Sequence, residues 1–326
     1  MFIDLHCDTA AGAVHAAHDK GGAAAKYLYA NPEAHLDIQR LRQAGGRAQF
    51  FACFTPPAEY YSKLGITSDR AFTDAVLSAV IDAAAQYPED LRVVGTFAEY
   101  QQAVSDGVTS AFLTLEEGRP VDGKMENLDF YYDQGVRLIT LTWNFKNCFG
   151  SPNSKDPAIM QEGLTAFGKD AVVYMQEKGM LVDVSHLSDG GFYDVAALCK
   201  KPFIASHSDA RTLCPHTRNL TDEMLKILAD HGGITGLNFC PDFIDEKAIC
   251  TFDGVVRHAR YIADVAGVDV LALGSDFDGI GGDLEIDDVL KMPVLLERLH
   301  DGGFTSDEVE KIAYKNAERV LKDTLR

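Results

Sequence analysis

The sequence has no uninterrupted apolar run of the roughly 18 residues that a membrane-spanning helix needs, so no span is expected. Its first residues, Met1-Phe2-Ile3-Asp4-Leu5-His6-Cys7-Asp8, carry no basic flank and no apolar stretch, so no secretory leader is read there. The last residues, Leu321-Lys322-Asp323-Thr324-Leu325-Arg326, form no hydrophobic anchor tail. No CxxC pair occurs among the 7 cysteines, which are Cys7, Cys53, Cys148, Cys199, Cys214, Cys240 and Cys250. An odd, scattered set excludes a disulfide framework and a thiolate zinc site, and suits reduced thiols in a cytoplasmic protein. Basic residues are few: 30 Lys+Arg stand against 49 Asp+Glu, a net charge of −19. So acidic a chain repels nucleic acid and anionic lipid, and neither is expected as a partner. Three glycine signatures are also missing. There is no G-x-G-x-x-G after an expected strand, no G-x-x-x-x-G-K-[ST] and no G-x-S-x-G elbow. Dinucleotide binding, P-loop chemistry and an elbow-type serine hydrolase are thereby disfavoured.

What is present is an alternation. Short β-branched and apolar runs at 2–8, 48–54, 111–116, 136–142, 180–185, 203–207, 234–239 and 271–276 read as strands. Longer amphipathic stretches lie between them, for example 68–87, 163–178, 221–231 and 252–265. Thr221-Asp222-Glu223 opens one helix and Gly232-Gly233 closes it. Residues 93–95 suit a further minor strand, and 21–25 look like a flexible patch in a long first strand-to-helix connection. Strand–helix repetition implies a parallel sheet. Eight such units in 326 residues predict an α/β fold of the (β/α)8 TIM-barrel type, with 1–326 as a single domain. A doubly wound sheet is the alternative, and it lacks its glycine-rich signature.

Polar residues fall at one end of these strands. His6 and Asp8 end the first, Glu116 the third and Asp276 the eighth, while His186 and His207 follow the fifth and sixth. That is the end at which barrel enzymes build their sites. His6 and Asp8 are two apart, so on a strand they share a face and form a compact N/O chelate. Three histidines plus carboxylates suit zinc. Two neighbouring ions need a shared ligand, and Glu116 is the natural bridging carboxylate; such a pair holds a water between its ions and lowers its pKa. Each residue alone has a plainer reading: Glu116-Glu117 suits a helix start, and His186 or His207 a hydrogen-bonded loop histidine. The combination at one barrel end is what points to metal. The other histidines, His15, His18, His35, His216, His231, His258 and His300, read mostly as surface residues. Asp276-Phe277-Asp278-Gly279 fails as a calcium loop because Ile280 stands at its fifth position.

In order and spacing these segments resemble the membrane (renal-type) dipeptidases, peptidase family M19, among the amidohydrolase-like barrel enzymes. The resemblance rests on Asp4-Leu5-His6-Cys7-Asp8, Leu115-Glu116-Glu117-Gly118, Leu138-Ile139-Thr140-Leu141-Thr142, Val184-Ser185-His186, Ser206-His207-Ser208, Thr217-Arg218-Asn219 and Gly274-Ser275-Asp276-Phe277-Asp278-Gly279. It implies two Zn2+ per chain, one held by His6 and Asp8, the other by His186 and His207, with Glu116 bridging. It implies Asp276 as proton shuttle beside a metal-bridging hydroxide, and Arg218 as partner of a dipeptide's free carboxylate. A homodimer is also compatible with it. One position departs: animal members carry a histidine near the scissile group where this chain has Trp143. The resemblance therefore implies a zinc dipeptidase. An amidohydrolase acting on N-acyl amino acids or cyclic amides is the alternative that Trp143 keeps open, and a catalytically silent binding barrel is disfavoured because every expected ligand is present.

Overall fold

The computed structural model describes residues 1–325. Eight parallel strands form its centre: β1 (Phe2–Cys7), β2 (Gly46–Phe54), β3 (Thr109–Glu116), β4 (Val136–Thr140), β5 (Leu181–Asp183), β6 (Ile204–Ala205), β7 (Ile234–Leu237) and β8 (Leu271–Leu273). Each pairs with the next, and β8 returns to β1 with Leu273 opposite Asp4, so the sheet closes. The predicted (β/α)8 barrel is the observed fold. A short extra strand, Leu91–Val93, pairs with the start of β3, close to the expected minor strand.

The interior is a packed core and not a pore. Every strand sends one or two apolar side chains into one buried cluster, for example Ile3, Leu5, Phe50, Phe112, Leu138 and Ile234. Tyr100 and Ala103 of helix Phe97–Asp106, with Val320 and Leu321 of helix Asn316–Thr324, join the same cluster. Alternate residues, such as Phe2, Phe51, Leu113, Ile139 and Val182, face outward into the larger cluster beneath the helices.

The four helices expected at the sequence level are present as Asp69–Gln86, Ala166–Lys178, Asp222–Asp230 and Phe252–Ala266. The side chains of Ser68, Thr165, Thr221 and Thr251 cap them by accepting backbone N–H groups of the first turn. Two expectations need correction. The long first connection containing a flexible patch is instead helix Thr9–Lys20, a corner at Gly21-Gly22, and helix Ala24–Tyr29. Ala10, Ala13, Ala25 and Leu28 are buried, so packing orders this segment despite its small residues. The strands β5 to β8 also end two or three residues before the predicted limits. At His186 and Asp276 the backbone turns left-handed, with φ of 67° and 63°, which carries the chain out of the ladder.

No helix among the described residues is long and apolar enough to cross a membrane, and their seven cysteines are all free.

Candidate metal centre

The carboxyl end of β1 solves a phase problem. Ile3 and Leu5 point into the barrel, and strict alternation would turn His6 and Asp8 the other way. A bulge intervenes: Asp4 to Cys7 spans three steps on β1 against the two from Gln49 to Phe51 on β2. The phase resets, Cys7 joins the outer core, and His6 and Asp8 face the site. Asp8 also stands at the N-cap of helix Thr9–Lys20, yet its carboxylate makes no cap bond and stays free for the site.

The predicted residues converge. His6 Nε2 lies 3.4 Å from Asp8 Oδ2, 3.3 Å from Glu116 Oε2 and 3.9 Å from Asp276 Oδ1. The other oxygen of Glu116, Oε1, lies 3.1 Å from His186 Nε2 and 3.7 Å from His207 Nε2. Glu116 thus divides its two oxygens between two histidine groups. Donor atoms of His6, Asp8 and Glu116 lie within 4.8 Å of one another, and so do those of Glu116, His186 and His207, and of His6, His207 and Asp276.

Outer contacts aim these rings. His207 Nδ1 donates to Ser206 Oγ at 2.7 Å, and that hydroxyl donates to Asp183 Oδ2 at 2.5 Å. His186 Nδ1 donates to Asn144 Oδ1 at 3.2 Å. Both rings thereby turn Nε2 toward Glu116, the arrangement that metal-ligating histidines adopt. Asn238 Nδ2 donates to Asp276 Oδ2 at 3.0 Å. Asp4, fully buried, accepts from Ser275 N, Ser275 Oγ and Gln49 Nε2, tying β1 to the loop that carries Asp276. Glu117 accepts from Trp143 N and Arg119 N, and from Asn147 Nδ2, which fixes the loop after β4. Gly279 closes the site: a Cβ there would come within 2.1 Å of Asp8 Oδ2 and 2.5 Å of Asp276 Oδ1.

The electrostatics fit divalent cations. Burial, with Glu116 nearby, raises Asp8 well above the usual carboxylate range, and burial raises Asp276 to about 6. Burial also works to raise Glu116, but His6 and His186 overcome it and hold Glu116 low. For His6 burial favours the neutral form, and Glu116 and Asp8 outweigh it. Burial, then Arg218, depresses His186 to about 3; burial, then His6, depresses His207. Three carboxylates are out of water with little positive charge to balance them. His6 Nε2 and Asp8 Oδ1 are buried without a hydrogen-bond partner. Orphaned donor atoms of this kind, in a nitrogen and oxygen set, are what a metal ion satisfies.

A cavity of about 420 Å³ opens onto the cluster. Asp8, Glu116, His186 and Asp276 line it, with Phe54, Trp143 and Phe243 as aromatic walls. The Trp143 ring lies 4.9 Å from Phe54 and 6.2 Å from His186. Arg218, only 5% exposed, is not part of that lining; it borders a crevice shared with His186. Its Nη1 donates to Ser208 Oγ, its Nη2 to the His207 carbonyl, and Nε has no partner. No carboxylate among the described residues forms an ion pair with it.

The surface reading of the remaining histidines needs correction. Only His18 and His300 are exposed. His258 is fully buried, His15 lines the cavity, and His35 accepts the Asp278 N–H. The supporting Asn144, Asp183, Ser206 and Asn238 were not anticipated. Asp183, a carboxylate amid the apolar run Leu181–Val184, was the one with a signal in the sequence.

The family model for membrane dipeptidase, peptidase family M19, matches residues 1–325. An uncharacterized dipeptidase of Schizosaccharomyces pombe is 33% identical over 301 residues, covering 89% of this chain and 72% of its own. The crystal structure of dipeptidase AC, a metallo peptidase of family M19, superposes with a TM-score of 0.88 at 25% identity, covering 99% of this chain and 98% of its own. A metallo peptidase from Rhodobacter sphaeroides, solved with a phosphinate mimic of the dipeptide L-Ala-D-Ala, gives a TM-score of 0.87 at 25% identity with 99% of both chains covered. With a closed barrel, a buried histidine–carboxylate cluster at its carboxyl end and a family match along residues 1–325, the chain belongs to the membrane dipeptidase family, peptidase family M19, and is a hydrolase of the dipeptidase class.

Proposed function

We propose that this chain is a binuclear zinc dipeptidase, with 1–326 acting as one catalytic unit. The observation that carries the reading is Glu116, whose Oε2 faces His6 and whose Oε1 faces His186 and His207. His6 and Asp8 would hold one ion, His186 and His207 the other, and Glu116 both. Two zinc ions there would polarise the scissile carbonyl and lower the pKa of a water between them. Asp276 takes the proton of the attacking water and delivers it to the leaving amine, as a general base and then acid. Asn238 occupies Asp276 Oδ2, so Oδ1 remains for that transfer. Arg218, lacking a carboxylate partner of its own, offers its guanidinium to the free carboxylate of a dipeptide. Trp143 closes the cavity with an aromatic face beside His186.

The test is hydrolysis of a dipeptide panel, with L- and D-residues at the C-terminal position, on protein of counted metal content. Release of free amino acids that chelation abolishes and zinc restores supports the reading. No release from protein holding about two metals per chain favours N-acyl amino acids or cyclic amides as substrates. Protein that takes up no metal overturns both.

A further inference from the structure

One wall of the cavity has no part in the chemistry above. It is a face of helix Thr9–Lys20, carrying Ala11, Gly12 and His15. Gly12 and His15 are three apart, so they stand one above the other on that face. Nothing local requires a glycine at 12. It is absent from the positive-φ residues, and a Cβ there would meet nothing within 4 Å. Glycine is a poor helix former, so its presence in this helix leaves open space in the cavity at a conformational cost. His15 is half-buried with its ring edge toward Phe72, and neither ring nitrogen has a hydrogen-bond partner among the described residues. Burial is the largest influence on His15 and favours its neutral ring, which keeps one N–H to donate; Asp19 opposes burial, and His18 and Lys63 contribute less than Asp19 does. Lys63 itself has no carboxylate partner among the described residues and lies 6.0 Å from the Tyr60 ring.

The site has a direction. Helix Thr9–Lys20 begins directly after Asp8, on the His6 and Asp8 side, whereas Arg218 lies against His207 and Ser208. With the substrate's C-terminal carboxylate at Arg218, its N-terminal residue extends toward the helix.

We infer that Ala11, Gly12 and His15 form the pocket for the side chain of the substrate's N-terminal residue, and that this pocket selects an acidic side chain of glutamate length. The inference rests on the dipeptidase reading and on the role given there to Arg218. Gly12 leaves room for the methylenes, Phe54 and Ile280 supply apolar walls, and His15 donates to the carboxylate at the far end.

The experiment measures kcat/KM for Glu-Ala, Gln-Ala, Leu-Ala and Ala-Ala on zinc-loaded wild type, His15→Leu and Gly12→Ala, with metal content counted for each. Wild type is expected to favour Glu-Ala over Leu-Ala by about ten-fold or more, the range of one charge-assisted hydrogen bond. His15→Leu removes most of that ratio. Gly12→Ala lowers Glu-Ala and Leu-Ala relative to Ala-Ala, mainly through KM. A merely structural role would move all four substrates together and leave the ratios where they were, which overturns the inference. Wild type that cleaves Ala-Ala yet does not favour Glu-Ala also overturns it, and leaves the dipeptidase reading standing. Wild type that cleaves none of the four overturns both.

Discussion

Asn238 donates its side-chain Nδ2 to Asp276 Oδ2 at 3.0 Å and so decides which oxygen of Asp276 faces His6. Asn238 is itself held, with its backbone N–H on Asp209 Oδ1 and its Oδ1 accepting from Cys240 N. Asn238→Ala leaves the ligand set intact and frees the Asp276 carboxyl to rotate. We expect kcat about 10- to 100-fold lower, the usual cost of losing an outer contact, with KM and metal content little changed. Asp276→Asn removes the carboxylate to which we assign the proton transfer and should lower kcat by about 10²–10⁴. Steady-state kinetics with metal analysis checks both. Near-wild-type turnover in Asp276→Asn would remove it from the mechanism.

Glu116 faces His6 with one carboxylate oxygen and His186 and His207 with the other. Glu116→Ala should therefore bring metal content from about two per chain to one or none, with activity lost in parallel. His186→Ala should empty one site and leave the other. Metal analysis after dialysis distinguishes the cases, and a Glu116→Ala protein that retains both ions would show that it does not bridge.

Gly279→Ala places a methyl group where Asp8 and Asp276 approach each other. The intruding carbon forces both carboxylates apart, a strain of about 1–3 kcal/mol if the loop yields. Activity should fall at least ten-fold with metal affinity. Gly281→Ala, where a Cβ meets nothing within 4 Å, is the matched control and should stay close to wild type. Equal effects at the two positions would contradict the argument.

His258 gives the fold an acid-sensitive joint away from the metal cluster. Its Nδ1 accepts from Ala210 N, and its Nε2 donates to the Ile244 carbonyl. Burial depresses its pKa to about 4. Its stabilising contribution is fully present above the unfolded value near 6.5 and is lost as pH falls toward 4, because the unfolded chain takes up a proton that the folded chain refuses. The loss is on the order of 3 kcal/mol. His258→Gln should be less stable at pH 7 and show a flatter fall of Tm between pH 6.5 and 4.5. An unchanged slope would exclude His258 as a source of acid lability.

Strand–helix alternation made the barrel legible, because a parallel sheet needs a crossover after each strand and each crossover leaves its own hydrophobic period. The six residues His6, Asp8, Glu116, His186, His207 and Asp276 were legible for a related reason. Each of these polar side chains alone has an ordinary structural reading, but all six fell at the same end of otherwise apolar strands. The segment after Gly21 was misread because small residues suggest mobility when packing partners are unseen. His258 was misread because a lone histidine gives no sign of whether its two nitrogens will find buried partners.

The sequence by itself determined the fold class and gathered histidines and carboxylates at one end of the barrel strands, since both follow from local period and residue chemistry. Only the tertiary structure decided the rest. The bulge between Asp4 and Cys7 set the facing of His6 and Asp8, and strand pairing brought Asn238 to Asp276 and Asp183 to Ser206. Close approach at Gly279, and the open space above Gly12, depend on elements far apart in the chain. Distances of this kind arise from register and closure, which no stretch of sequence encodes locally.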